Sequence, residues 1–127
     1  MPKKPPVAVP LPCPCASGTS YQACCEQMHL GAPAASALAL MRSRYSAFVY
    51  QLGAYLLATW HPSTRPAQLQ FEERLIWLGL EIYQHDATTV EFVTRSKIGG
   101  NPAVRHRERS RFVLEAGRWL YVDGVLQ

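Results

Sequence analysis

From Ala34 onward, apolar residues return every three or four positions, and Leu38, Met41, Tyr45, Phe48 and Leu52 make one stripe. That spacing predicts a helix with one buried face. Arg42 falls off the stripe, on the side expected to meet water, and Gly53 reads as the C-terminal stop. A second short helix is predicted over residues 54–60, closed by Pro62, with a loop over 63–66. Past Phe71 the period changes. Residues 76–83 are apolar and β-prone, and residues 88–95 alternate through Val90, Phe92 and Thr94, the repeat of a half-buried strand. Residues 97–102 (KIGGNP) predict a turn and residues 103–114 a long alternating strand. Ala116-Gly117 then predicts a hairpin into a last strand over 118–122, with Asp123-Gly124 ending the sheet. Helices first and an antiparallel meander afterwards define an α+β class.

The long strand divides its residues between two faces. Val104, His106, Glu108, Ser110, Phe112 and Leu114 share one, and Arg105, Arg107, Arg109 and Arg111 share the other. Four guanidiniums in a row need water, carboxylates or a polyanion against them. The stripe therefore reads either as a nucleic-acid or phosphate-binding surface or as a solvated convex face partly neutralised by Glu91. No aromatic residue interleaves the arginines, which speaks against a stacking platform for single strands.

Ahead of the first helix the pattern breaks down. Residues 1–12 (MPKKPPVAVPLP) carry prolines that forbid a helix, and they predict a flexible extended arm. They lack the uninterrupted apolar core of a secretory signal, and nothing in the chain approaches a membrane span of about 20 apolar residues. The expected location is the cytoplasm. At 127 residues, with 48% hydrophobic and 17% charged residues, the length and composition suit one folded domain with a small appendage.

Between arm and helix, CPCASGTSYQACC holds all four cysteines: Cys13, Cys15, Cys24 and Cys25. In a reducing compartment clustered thiols bind metal or do redox chemistry more often than they form disulfides. Neighbours such as Cys24 and Cys25 also close only a strained ring, and the chain lacks the CxxC spacing of a redox pair. Two close pairs of thiolates suit a tetrahedral four-sulfur site, the preference of zinc, and four protein ligands leave no open position, so the metal would be structural. Gly18 supplies a positive φ in the turn, and Ser20 is placed to cap a short helix from Tyr21. A thiol-reactive loop is the alternative. The formal net charge is +4. Four thiolates and one divalent ion together subtract two, leaving a weakly basic protein and a weaker case for nucleic acid.

CPCASGTSYQACC resembles the SEC-C motif, the CxC…C[CH] zinc knuckle also found at the C-terminus of the SecA translocation ATPase. Ala16 and Thr19 stand where the usual motif has Gly and often Lys, and neither is a ligand. Together with LMRSRYSAF (40–48), YLLATWHPSTR (55–65) and RERSRF…GRWLYVDG (107–124), the chain resembles the YchJ-type family of bacterial SEC-C proteins. That resemblance implies a nuclear transport factor 2-like (cystatin-like) cone, its N-terminal helices packed on a curved antiparallel sheet and preceded by the zinc knuckle. The boundaries are then an arm at 1–12, the knuckle at 13–30 and the cone at 31–127. Many relatives carry a second knuckle that is absent here. The resemblance also implies a protein partner for the knuckle and a sheet able to form a homodimer, but no particular reaction.

In such a cone Tyr45, Trp60, His61, His106 and Glu108 are the candidate pocket residues. His61 titrates near neutrality beside a large aromatic, although a helix-capping role explains it as well. Tyr45 and Trp60 read equally as core. Glu108 would need a partner, which Arg44 or His61 could supply. No nucleophile motif, phosphate loop or second metal set is visible. The leading expectation is a zinc-binding accessory protein rather than an enzyme. A small-molecule binder or isomerase-like enzyme using the cavity, and an RNA- or ribosome-associated factor using the stripe, are the alternatives.

Overall fold

The computed structural model describes residues 11–127, so the arm expected over 1–12 lies outside the described residues except for its last two. Leu11 and Pro12 belong with the knuckle: the Leu11 carbonyl accepts from Tyr21 N–H at 2.9 Å, and Pro12 bridges Ser20. Three helices follow, α1 (Cys25–His29), α2 (Ala37–Val49) and α3 (Gly53–Ala58). Then come four strands, β1 (Leu75–His85), β2 (Thr89–Ile98), β3 (Val104–Glu115) and β4 (Arg118–Leu126), paired antiparallel in the order β1-β2-β3-β4. No helix among the described residues is long and apolar enough to cross a membrane.

Ser36 caps α2 by accepting the Ala39 N–H at 3.1 Å. The helix ends before Gly53, which instead opens α3. Gln51 takes the left-handed turn at φ 56°, Leu52 N–H reaches the Ala47 carbonyl at 2.8 Å and Gln51 N–H the Phe48 carbonyl at 3.2 Å. This pair of bonds closes a helix without needing glycine. α2 is also buried more widely than one stripe: Leu40, Met41, Ser43, Arg44, Tyr45, Ser46 and Ala47 are all covered. The reason is that it packs against α1 and α3 as well as β1, β2 and β4. Arg42, expected to face water, turns back to the knuckle and donates from Nη1 to the Cys15 carbonyl at 2.6 Å.

β4 does not stop at Asp123-Gly124 but runs on to Leu126. A register shift opposite Arg111 and Phe112 accommodates Val122, after which Asp123 pairs with Arg111 and Gly124 with Ser110. Gly124 is there because the Glu108 side chain lies over it: a Cβ would stand 2.7 Å from the Glu108 carboxyl carbon. The hairpin at Ala116-Gly117 has positive φ at both residues, 50° and 76°, as a two-residue turn with the right twist requires. The end of α3 is strapped to β4, with Tyr121 N–H donating to the Thr59 carbonyl at 2.8 Å and His61 N–H to the Tyr121 carbonyl at 2.7 Å. A single cluster of buried residues runs from Cys13, Cys15 and Cys25 through Leu40 and Tyr45 to Val90, Phe92 and Phe112. The knuckle is thus seated on the cone.

Candidate functional site

The knuckle is folded by backbone before any metal is considered. Cys13 N–H donates to the Thr19 carbonyl at 2.9 Å, Ala16 (φ 63°) and Gly18 (φ 89°) make the reversal, and Cys24 N–H closes on the Tyr21 carbonyl at 3.0 Å. Ser20 receives the Ala23 N–H at 3.3 Å, but the helix begins at Cys25 rather than Tyr21. The four sulfurs face one another, all within 4.8 Å, with Cys15 to Cys24 at 3.6 Å and Cys24 to Cys25 at 3.9 Å. Zn–S bonds near 2.3 Å at tetrahedral angles put sulfurs about 3.8 Å apart. The donor set and its spacing therefore fit a four-thiolate zinc, and all four cysteines are free of disulfides. Cys13, Cys15 and Cys25 are buried and Cys24 is half-buried.

Packing several thiols in one dry spot perturbs them. The Cys15 thiol is held well below the ordinary thiol range by the hydrogen bond from the Cys25 thiol, and that bond pushes Cys25 up. Burial raises Cys13. A divalent ion would replace the thiol protons with metal–sulfur bonds. The surroundings hold the cluster in place. Cys13 Sγ lies 3.5 Å from Ser46 Oγ, and Cys24 Sγ lies 3.2 Å from Ser17 Oγ. His29, at the end of α1, donates from Nε2 to the Ser43 carbonyl at 2.8 Å and accepts from the Tyr21 hydroxyl at Nδ1, 2.7 Å away. Burial lowers its pKa, which favours this neutral, doubly bonded form.

A second feature is a cavity of about 350 Å³ between α2 and the inner sheet face. Tyr45, Trp60, Trp77, Phe92, Phe112 and Tyr121 contribute aromatic wall, and Arg44, Thr94, His106 and Glu108 contribute polar groups. Tyr45, Trp60, His106 and Glu108 thus come together, whereas His61 does not join them. Its backbone follows Trp60 in an extended step against Tyr121, so as the Trp60 ring turns inward the imidazole turns out. There it meets Ser63 Oγ at 2.7 Å and Glu115 Oε1 at 2.8 Å. Neither Arg44 nor His61 pairs with Glu108, whose Oε2 accepts from Ser110 Oγ at 3.0 Å.

The arginine row lies on the opposite sheet face, with two of its four charges paired to carboxylates. Arg111 holds Asp123 through two bonds of 2.6 Å, and Arg107 donates to Glu91 at 3.0 Å with its guanidinium 4.5 Å from the Tyr83 ring centroid. Arg105 donates to the Tyr83 hydroxyl at 3.1 Å, and Arg109 stands opposite Glu91 and Val125 in the ladder. Glu91 is only 7% exposed. Arg107→Ala is therefore expected to destabilise the protein by roughly 1–3 kcal/mol, because it strips a buried carboxylate of its charged donor. Adding Glu91→Gln should recover most of that loss in urea unfolding. An additive double variant would show that the pair is not coupled.

Sequence reasoning passed over His29, turned Arg42 toward water, and offered Arg44 only as a partner for Glu108, a pair the structure does not form. Arg44 is 6% exposed, an unusual place for a guanidinium. The two arginines of LMRSRY flank a buried serine, a polar run inside an apolar helix that signals two packed sides.

The comparisons agree with this architecture. Residues 36–124 match the family described as "YchJ, middle NTF2-like domain", and residues 11–27 match the SEC-C motif. A UPF0225 protein of Xanthomonas campestris pv. campestris is 51% identical over 119 residues, covering 88% of this chain and 92% of the relative. A UPF0225 protein of Polaromonas sp. is 54% identical over 126 residues, covering 88% and 91%. Among solved structures, the solution structure of a SEC-C motif containing protein from Rhodopseudomonas palustris superposes with a TM-score of 0.77 at 34% identity, covering 89% of this chain and 96% of that one. The crystal structure of a SEC-C motif containing protein from Psychrobacter arcticus gives 0.70 at 25% identity, covering 91% and 82%.

Proposed function

Because this chain belongs to the YchJ family, with a SEC-C motif ahead of a middle NTF2-like domain, we propose that it is a zinc-binding accessory protein whose knuckle serves as an interaction module. The observation that carries the metal is the convergence of Cys13, Cys15, Cys24 and Cys25 within 4.8 Å, at the spacing of a tetrahedral site. Four thiolates would complete the coordination of zinc, which supplies cross-linking there and has no position left for a substrate. What remains outward is the turn over 16–19 with Gln22 and Ala23, all exposed, flanked by Leu11 and Leu30 at 67% and 78% exposure. Two exposed leucines beside a rigid turn support contact with a macromolecule. Thiolates of this kind persist in a reducing compartment, and we place the protein in the cytoplasm.

The test is metal content, measured on protein purified under reducing conditions without a histidine tag. About one zinc per chain is expected, released on denaturation together with reactivity of all four thiols. Four freely titratable thiols and no metal in the native protein would overturn the reading and leave a thiol-reactive loop in its place. A Leu30→Asp variant that keeps its zinc separates the second half of the proposal: a partner isolated with the parent protein should be lost from it.

A further inference from the structure

Arg44 is a buried guanidinium with no carboxylate bonded to it among the described residues. Its Nη1 donates to the Leu56 carbonyl and to Thr59 Oγ1, both at 2.7 Å. Among the described residues Nε and Nη2 donate to nothing, and no ion pair includes Arg44. Its Cζ lies 5.0 Å from the Trp60 ring centroid and 4.7 Å from that of Tyr121, and both rings belong to the cavity wall. Aromatic faces soften the desolvation of a cation but do not replace an anion. Burial lowers its pKa to about 10, so the group stays charged at neutral pH.

The nearest candidate anion is kept away. Glu108 is held by Ser110 and lies over Gly124, where the missing side chain makes room for it. Arg44 and Glu108 line the same cavity and no ion pair joins them, although Glu108 is near enough to favour the charged guanidinium. Arg44 offers a free planar edge of N–H donors, the geometry that receives a carboxylate through two parallel bonds. The walls around that edge are aromatic, and Glu108 adds a fixed negative charge that would repel a second anionic group on the same molecule.

We propose that the cavity binds a small aromatic monocarboxylic acid, with its carboxylate on Nε and Nη2 of Arg44 and its ring among Tyr45, Trp60, Trp77 and Phe112. The site is separate from the thiol cluster, and its ligand needs no metal.

The protein carries its own reporters. Trp60 and Trp77 line the cavity, while the third tryptophan, Trp119, does not. The experiment follows the three indole N–H resonances of the full chain during titration with 2-naphthoate, its neutral isostere 2-naphthamide, and 2,6-naphthalenedicarboxylate. The acid should move Trp60 and Trp77 but not Trp119, and should bind at least about tenfold more tightly than the amide, as a charge-assisted bidentate contact requires. The diacid should bind more weakly than the monoacid, and Glu108→Gln should narrow that gap. Arg44→Gln should abolish the preference for acid over amide. If losing the Nη1 bonds to Leu56 and Thr59 unfolds that variant, the acid-to-amide ratio on the unaltered protein decides alone. Equal affinity for acid and amide, equal affinity for monoacid and diacid, or no movement of Trp60 and Trp77 at millimolar acid would each overturn the proposal.

Discussion

If the knuckle holds zinc as proposed, Cys15→Ser is expected to lower the melting temperature by about 10 °C or more and to abolish metal binding. Cys15 is wholly buried. The substitution removes a ligand and leaves a hydroxyl among Cys13, Cys25 and Leu40, residues of one apolar cluster. A structural zinc contributes about 10–16 kcal/mol of apparent binding free energy in small fingers, while a whole domain is stable by about 5–15 kcal/mol. On the zinc reading that term would dominate the order of so short a segment, with the backbone bonds of the knuckle and its contact with the cone adding to it. The cone keeps Leu56, Val90, Phe92 and Phe112 in its core, so the loss should be graded along the chain. Hydrogen exchange should accelerate first over residues 13–29 and last in β2 and β3. A chelator should reproduce the same pattern in the unaltered protein. Cys24→Ser offers the contrast: it also removes a ligand, but Cys24 is half-buried beside Ser17 Oγ at 3.2 Å, where a serine hydroxyl finds a partner. It should lose the metal and melt higher than Cys15→Ser. Melting of Cys15→Ser within about 1 °C of the parent, with no response to chelator, would mean that no metal holds the knuckle.

The clustering of the four thiols was legible in the sequence because they lie within one short segment, where spacing alone decides which side chains can meet. The meander was equally legible from its β-prone segments and the Ala116-Gly117 turn, but the half-buried character expected of residues 88–95 was not met, since Val90 to Thr94 are buried on both faces of the central strand β2. What escaped were features set by approach from elsewhere in the chain. Gly53 looked like a helix stop, but Gln51 does that work, because two backbone bonds to Ala47 and Phe48 compensate a left-handed residue that has a side chain. Asp123-Gly124 looked like the end of the sheet because the residue that needs that glycine, Glu108, sits on another strand. For His61 the sequence left a cavity group and a helix cap both open, and it is neither: the strap to Tyr121 turns the imidazole out to Ser63 and Glu115. Arg44 was read as a partner for Glu108, but its deep burial was not legible, because a helical wheel has one apolar face whereas α2 is covered on several sides.

Alternation also says nothing about how far along a strand the cover extends, and two residues of β3 turn that into a measurement. Phe112 and Leu114 share the inner face by period, yet Phe112 is 2% exposed and Leu114 is 57% exposed. Phe112 packs against Tyr121 with ring centroids 5.8 Å apart, lies in the buried core cluster, and its N–H extends the ladder to β2 by donating to the Thr88 carbonyl at 2.8 Å. Leu114, two residues on, pairs with Trp119 beyond the reach of the helices. Phe112→Ala is therefore expected to cost about 3–5 kcal/mol, the range for emptying a buried aromatic site. Leu114→Ala should fall within about 0.5 kcal/mol of the parent, as exposed positions do. Because Phe112 also forms cavity wall, some of its loss is cushioned by space that already exists, which places the expected value toward the lower end of that range. Phe112→Leu should recover more than half of it by refilling most of the volume. Paired urea unfolding of the three variants reads these differences directly. Equal losses for Phe112→Ala and Leu114→Ala would mean that something covers the far end of the sheet in solution, and a second copy of the chain laid on that end would be the first arrangement to test by sedimentation.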